Sequence, residues 1–271
     1  MKIAYFDCFA GASGDMILGA FVDVGLSIDV LRSELQKLGL NGYDLQAEPV
    51  TKKGIAAIQI SIIVDSGLHA HHHRRLHDIE QIIDSSELDP GVKQVSILIF
   101  RRMAAAEAKV HRTAIESVHF HEVGAVDAIL DVVGSAVGLH QLGIEKVYCS
   151  PIHVGSGTVD CAHGTFPVPA PATAELVKNF PVYSTGVKAE LLTPTGAAIL
   201  TTVASDFRPL PELTVERLGY GAGTADPPIP NLLRVFIGEA SNGAVAACPH
   251  RSGLRETHGE GHQHHISHNT Q

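Results

Sequence analysis

The chain has no tryptophan, and phenylalanine and tyrosine bring its aromatic content to only 5%. With 26 glycines in 271 residues, that scarcity favours closely packed α/β layers over a sandwich filled by large rings. Cysteine is scarce too. Cys8, Cys149, Cys161 and Cys248 are scattered with no CxxC pair, which argues against a disulfide frame and for reduced thiols. No apolar run approaches a membrane span, and no basic-then-apolar segment opens the chain. Lysine and arginine number 20 against 29 acidic residues, with no basic block interleaved with aromatics, so a nucleic-acid surface is not expected. These absences predict a cytoplasmic protein with no membrane and no nucleic-acid partner.

Histidine, by contrast, is abundant and clustered. Of seventeen, one knot holds His69, His71, His72, His73 and His77. A second holds His258, His262, His264, His265 and His268, in a segment with almost no apolar residues. Such tracts read as metal-binding, and the second is too polar to build a core. The expected organisation is an α/β body with a mixed sheet and flanking helices over residues 1–240, α+β being the variant, and a disordered His-rich tail over 241–271.

Periodicity supplies the elements. Lys2 to Phe6 reads as a buried strand and the stretch after Asp15 as a helix with Ile17, Leu18, Phe21 and Val22 inward. A helix over Ile28 to Leu38, closed by Gly39, precedes a hairpin of Tyr43 to Val50 and Ile55 to Val64. Helices follow over Leu76 to Ser85 and Val92 to His111, the latter opened by Asp89-Pro90-Gly91. Another runs from about Val123 to Leu142, then a strand from Lys146 to Cys149. Beyond lies a Gly- and Pro-rich region of short elements through Val203, then strands over Thr214 to Gly219 and Leu232 to Gly238.

His119-Phe120-His121-Glu122 carries the chemistry. An extended Val118 to His121 would project His119 and His121 to one side and Phe120 to the other. On the following helix Asp127 and Asp131 are four apart and share a face, continued by Ser135 and Gly138. Two like charges so spaced cost roughly 0.2–0.5 kcal/mol unless a cation lies between them. Imidazoles with carboxylates suit a borderline or hard metal, not a structural zinc held by thiolates. The plainer reading makes the histidines turn residues and the aspartates a helix-dipole partner and a solvated face.

Three further strings stand out. Asp7 to Met16 follows a strand and opens a helix, so the amides of Gly11, Ser13, Gly14 and Asp15 could receive a phosphate, with Asp7 placed for a metal or a ribose hydroxyl. It is neither a Walker A loop nor a dinucleotide fingerprint, and an ordinary capped turn remains the alternative. His163-Gly164 stands before Pro167, Pro169 and Pro171, whose fixed backbone could hold His163 in one orientation; a structural crossover would explain the prolines equally. Thr193-Pro194 caps a helix whose start, Thr195-Gly196, is a second candidate anion site. Gly219 to Gly223 with Asp226 reads as a flexible loop able to approach a ligand.

In order, FDCFAGASGDM (6–16), VHFHEVGAVDAILDVVG (118–134), HGTFPVPAPAT (163–173), LTPTGAA (192–198), GYGAG (219–223) and PNLLRV (230–235) resemble the nickel-insertion proteins of the lactate racemase cofactor pathway, the LarC family. The resemblance implies a nickel chelatase, or cyclometallase, of the lyase class. It would insert nickel(II) into pyridinium-3,5-bisthiocarboxylic acid mononucleotide, making two nickel–sulfur bonds and one nickel–carbon bond, and yield the nickel-pincer nucleotide cofactor. CTP with manganese or magnesium is required, through a C-terminal domain beyond this chain. On that reading the chain is the family's N-terminal part, incomplete without its C-terminal half, and self-association is left open. Nickel would be held by His119, His121, Glu122, Asp127 and Asp131, and gathered by His71, His72 and His73. Loss of a ring proton calls for a base, Glu122 or His163. The substrate phosphate suits Ser13 to Asp15 or Thr195-Gly196. Two rivals come from other classes: a nickel metallochaperone or storage module, and a metal-dependent phosphohydrolase.

Overall fold

The computed structural model describes residues 1–65, 74–118, 120, 125–161 and 164–240. In chain order the elements are β1 (Lys2–Asp7), α1 (Gly14–Asp23), α2 (Ile28–Gln36), β2 (Tyr43–Lys52), β3 (Ile55–Val64), α3 (Leu76–Ser85) and α4 (Pro90–His111). A short 3-10 turn at Ile115–Ser117 leads to α5 (Val126–Gln141) and β4 (Lys146–Cys149). The Gly/Pro-rich region holds β5 (Ile152–His153), β6 (Gly155–Ser156), β7 (Thr158–Cys161), β8 (Gly164–Pro167), α6 (Pro171–Leu176), β9 (Val182–Tyr183) and β10 (Ala189–Glu190). Then come α7 (Pro194–Val203), β11 (Asp206–Phe207), β12 (Leu213–Ala222) and β13 (Leu232–Ala240).

Seven strands form one mixed sheet in the order β11-β4-β1-β13-β12-β3-β2. β1, β4 and β11 run parallel, β13 is antiparallel to both β1 and β12, and β2 and β3 form the expected hairpin. Strand alternation sorts the residues. Ala4 and Phe6 of β1, Val147 and Cys149 of β4, and Leu233, Val235 and Ile237 of β13 join the main core with the helices. Ile3, Tyr5, Tyr148 and Phe236 form a separate cluster built from strand residues alone.

The helices obey their termini. Asp89 accepts a hydrogen bond from the Gly91 amide at 2.8 Å, Pro90 takes the first position, and α4 ends on Arg112 in the left-handed region. α5 begins at Val126, three residues later than the apolar period implied. Gly219 to Ala222 belong to β12 rather than to a loop. They lie directly under α1: a Cβ on Gly221 would meet the Met16 carbonyl oxygen at 1.7 Å. The glycines expected to admit a ligand admit a helix instead. Cys8, Cys149 and Cys161 are free thiols. Among the described residues no helix is long and apolar enough to cross a membrane. The expected disordered tail falls on residues 241–271, outside the described residues.

Candidate functional site

α1 and α5 pack side by side and run the same way. A Cβ on Gly14 would meet Asp131, one on Gly134 would meet Leu18, and one on Gly138 would meet Phe21. The positive ends of the two helices therefore lie together. α7 joins them through a backbone exchange: Ala12 donates to the Leu191 carbonyl at 3.0 Å, and Thr193 donates to the Ala12 carbonyl at 3.1 Å. A Cβ on Gly196 would come within 2.3 Å of the Ala12 oxygen. Helix starts far apart in sequence thus converge near the carboxylates of Asp15 and Asp131, where their dipoles favour negative charge.

The two aspartates of α5 differ. Asp127 is exposed and accepts from the Ala128 amide at 2.9 Å, a first-turn partner of its own helix. Asp131 is enclosed, and its Oδ1 is a buried oxygen with no hydrogen-bond partner. Ser135 bonds to the Asp131 carbonyl and leaves the carboxylate alone. Burial pushes the Asp131 carboxyl well above its ordinary range, and repulsion from Asp15 and Asp127 pushes the same way. Asp15 is also raised by burial, opposed by the Ser13 hydroxyl and by the amides of Met16 and Asp15 itself. Unpartnered buried carboxylates are costly, so the arrangement calls for a proton or a cation. Asp15, Asp127 and Asp131 do not by themselves make a ligand set, and among the described residues no group of three His, Cys, Asp or Glu side chains forms a metal centre. His119, His121 and Glu122 lie outside the described residues, as do His71, His72, His73 and His163. Their neighbours are placed: Val118 and Phe120 are buried, the latter edge-on to Phe100 at 6.3 Å, and the Phe120 amide donates to the Arg74 carbonyl at 3.1 Å.

The glycine-rich turn is largely packed against protein. The Gly11 amide bonds to the Cys8 carbonyl, and at φ +82° its missing Cβ would sit 1.9 Å from the Leu191 oxygen. Ser13 donates to Asp15, whose own carboxylate takes the amides at the start of α1. At α7, Thr193 accepts from the Gly196 amide at 3.2 Å, as an N-cap should, and Thr195 and Gly196 are buried. Thr193→Ala should lower stability by about 1 kcal/mol in a thermal melt; no change would mean the cap is not used.

A family comparison decides what kind of chain presents this site. The nickel insertion protein family matches residues 4–267. The chain belongs to that family. The pyridinium-3,5-bisthiocarboxylic acid mononucleotide nickel insertion protein of Desulfitobacterium hafniense (strain DSM 10664 / DCB-2) is 54% identical over 242 residues, 89% of this chain and 60% of its own length. Proteins of the same name from Acetivibrio thermocellus and Geobacillus kaustophilus are 48% and 47% identical, with 61% and 60% of their lengths matched. This nickel insertion family member thus spans about three-fifths of the curated relatives it matches. No solved structure matches it significantly.

Two features of this nickel insertion chain were not foreseen in the sequence. Asp7 is engaged by Arg234, which donates both Nε, at 3.1 Å, and a terminal nitrogen to one carboxylate oxygen. Arg234 also stacks over Phe9 and Phe236. The pairing follows from the Asp7↔Arg234 register of β1 with β13, which no local string reveals. His153 is 1% exposed and accepts the Thr185 amide at Nε2, 2.9 Å away, while its Nδ1 is buried without a partner. Burial holds its basicity below the usual histidine value. Its short strand carried no period from which burial could be read.

Proposed function

We propose that this chain is the nickel- and substrate-handling part of a chelatase that inserts nickel(II) into pyridinium-3,5-bisthiocarboxylic acid mononucleotide. The observation that carries the reading is the Asp131 carboxylate, whose buried Oδ1 has no partner and which feels the charges of Asp15 and Asp127. Nickel, the cargo of the reaction, is assigned to His119, His121 and Glu122 with Asp127 and Asp131; imidazole and carboxylate hold it without the thiolate grip that would oppose release. The names of the relatives supply the organic substrate. Because nickel replaces a ring proton, a base must accept that proton, and Glu122 or His163 is given the role. The substrate phosphate is assigned to a helix start, that of α1 at Ser13–Asp15 or that of α7 at Thr195–Gly196, where it would take amides now held by Asp15 or by the Thr193 cap. CTP with manganese or magnesium is assigned to the part of the longer relatives that this chain does not cover, and the reaction to the lyase class in the cytoplasm. His71, His72, His73 and the tail histidines gather the metal.

The test is calorimetric titration of nickel into the chain with His258, His262, His264, His265 and His268 changed to alanine. One tight site should remain, and His121→Ala, Asp127→Ala or Asp131→Asn should each weaken it at least tenfold. Unchanged affinity in all three variants would remove the site from this place. A storage module would bind nickel equally well yet form no nickel-pincer product with CTP, manganese, substrate and the C-terminal half all present.

A further inference from the structure

On α4, Leu98, Arg101, Arg102, Ala105, Ala106 and Lys109 recur at spacings of three and four, so they share one face. With the residues that end α6 and with Thr202 of α7, that face lines an open groove of about 720 Å³. Its charge runs against that of the chain, which is −9 overall. Arg101, Arg102, Lys109 and Lys178 line it, and among the described residues Glu175 is the carboxylate set against them. The ion pairs do not cancel this excess. Lys109 and Lys178 both turn to the same oxygen of Glu175, the latter at 3.9 Å, and one carboxylate balances one ammonium group. Arg101 donates its Nε to Glu80 at 2.6 Å. Arg102 is half-buried with its guanidinium 5.7 Å above the Phe180 ring, and among the described residues no acceptor meets it. Stacking fixes the plane of that guanidinium and leaves its N–H edge for another molecule.

We propose that this groove binds a chain of linked phosphates, recognised by its charge and without regard to any base attached to it. A guanidinium edge takes two phosphate oxygens at once, and the ammonium groups of Lys109 and Lys178 add point charge. Arg102 and Lys109 stand two turns apart on α4, about 10.5 Å, so cations meet the chain at both ends. A single phosphate would engage one end. The floor of Ala105 and Ala106 admits the chain closely and offers no hydrogen-bonding group to a peptide backbone, which disfavours an acidic peptide. No aromatic side chain lines the groove among the described residues. Phe180 beside it is already covered by Arg102 and packed at 4.9 Å on Phe207, so a nucleobase has nothing to stack on. The groove stands apart from the insertion site: Thr202 lies seven residues, about 10 Å, along α7 from Thr195. Glu175 opposes the ligand. Its hydrogen bond with Lys109 holds its carboxyl below the ordinary glutamate range, so it stays charged and repels an anion bound here.

The test is calorimetric titration of the metal-free full chain at pH 8, where the tail histidines are neutral and add no positive charge. Sodium tripolyphosphate should bind, CTP and ATP should match it within threefold, and orthophosphate should bind at least tenfold more weakly. Arg102→Ala and Lys178→Ala should each weaken tripolyphosphate about fivefold to tenfold. Arg102→Lys should recover only part of that loss, and Glu175→Gln should tighten binding severalfold. Affinity should also fall as salt rises. Lys178 is exposed, so its variant tests the groove even if loss of Arg102 loosens Phe180; circular dichroism checks the fold of each. Absence of tripolyphosphate binding, affinity unchanged by Arg102→Ala and Lys178→Ala, or hexaglutamate binding as tightly would overturn the assignment. A preference of tenfold or more for one base over another would overturn it too, because the phosphates would then belong to a nucleotide pocket. All of this is read without nickel, so a failure of the insertion reading leaves it unchanged.

Discussion

Replacing Asp131 with asparagine should raise the melting temperature of the metal-free protein and remove most of the stabilisation that nickel gives. Asp131 is half-buried, with its Oδ1 fully buried and unpartnered, and its carboxyl is held well above the ordinary range. In the folded state it therefore keeps its proton to higher pH than in the unfolded chain. A group of that kind makes stability fall as pH rises from the unfolded carboxylate value, about 4, toward the raised folded value. Within that window each pH unit removes about 1.4 kcal/mol per such group. Asparagine carries no charge at any pH, so the variant should lack this decline and gain a few degrees at neutral pH, about 2–4 °C per kcal/mol for a chain of this size. Asp15, raised for the same reason, should leave a smaller residual slope. Nickel at a hundredfold excess over its Kd should stabilise the wild type by about 2.7 kcal/mol, and the variant hardly at all. Melting curves from pH 4 to 8, with and without nickel, read all of this. A variant that melts lower than wild type at pH 8 without metal would mean that Asp131 has a partner the geometry does not show.

Gly221→Ala should be among the most damaging single methyl additions at the described glycines. A Cβ there would lie 1.7 Å from the Met16 carbonyl oxygen and 2.6 Å from the Ala20 nitrogen, both backbone atoms of α1 that cannot rotate away. Relief requires α1 to lift from β12, which moves Gly14 and Asp15 at the site. Overpacking of this kind costs about 1–3 kcal/mol where side chains can give, and more where they cannot, so a loss of about 3 kcal/mol or failure to accumulate as folded protein is expected. Gly54→Ala is the control. Its Cβ would meet nothing within 4 Å, although φ is +87°, so it should cost only about 1 kcal/mol. Denaturant titrations that rank the two variants equally would show that α1 does not pack on β12 as described.

The elements were legible wherever periodicity was strong. The boundaries of α3 and the pairing of β2 with β3 follow from apolar spacing and from the Lys53-Gly54 turn, and the Asp89 and Thr193 caps from residues that can accept an amide hydrogen bond. The short strands between Pro151 and Glu190 left too few residues for a period to form. At the site, the sequence placed Asp127 and Asp131 one turn apart on α5, which geometry alone guarantees. It gave no means to tell an exposed first-turn aspartate from one with a buried, unpartnered oxygen, because that depends on α1 lying against α5.

By itself the sequence determined the family and the helices and strands with clear periods, and it set His119, His121, Asp127 and Asp131 within a few residues of one another. These are local properties: a spacing of two or four residues fixes which side chains share a face. Only the tertiary structure decided that Gly14, Gly134, Gly138 and Gly221 serve close helix packing, that Asp7 is spoken for by Arg234, and that the starts of α1, α5 and α7 meet around Asp15 and Asp131. These contacts join segments far apart in the chain, and the register and approach that bring them together are set by the packing of the whole sheet and its helices, which no local pattern encodes.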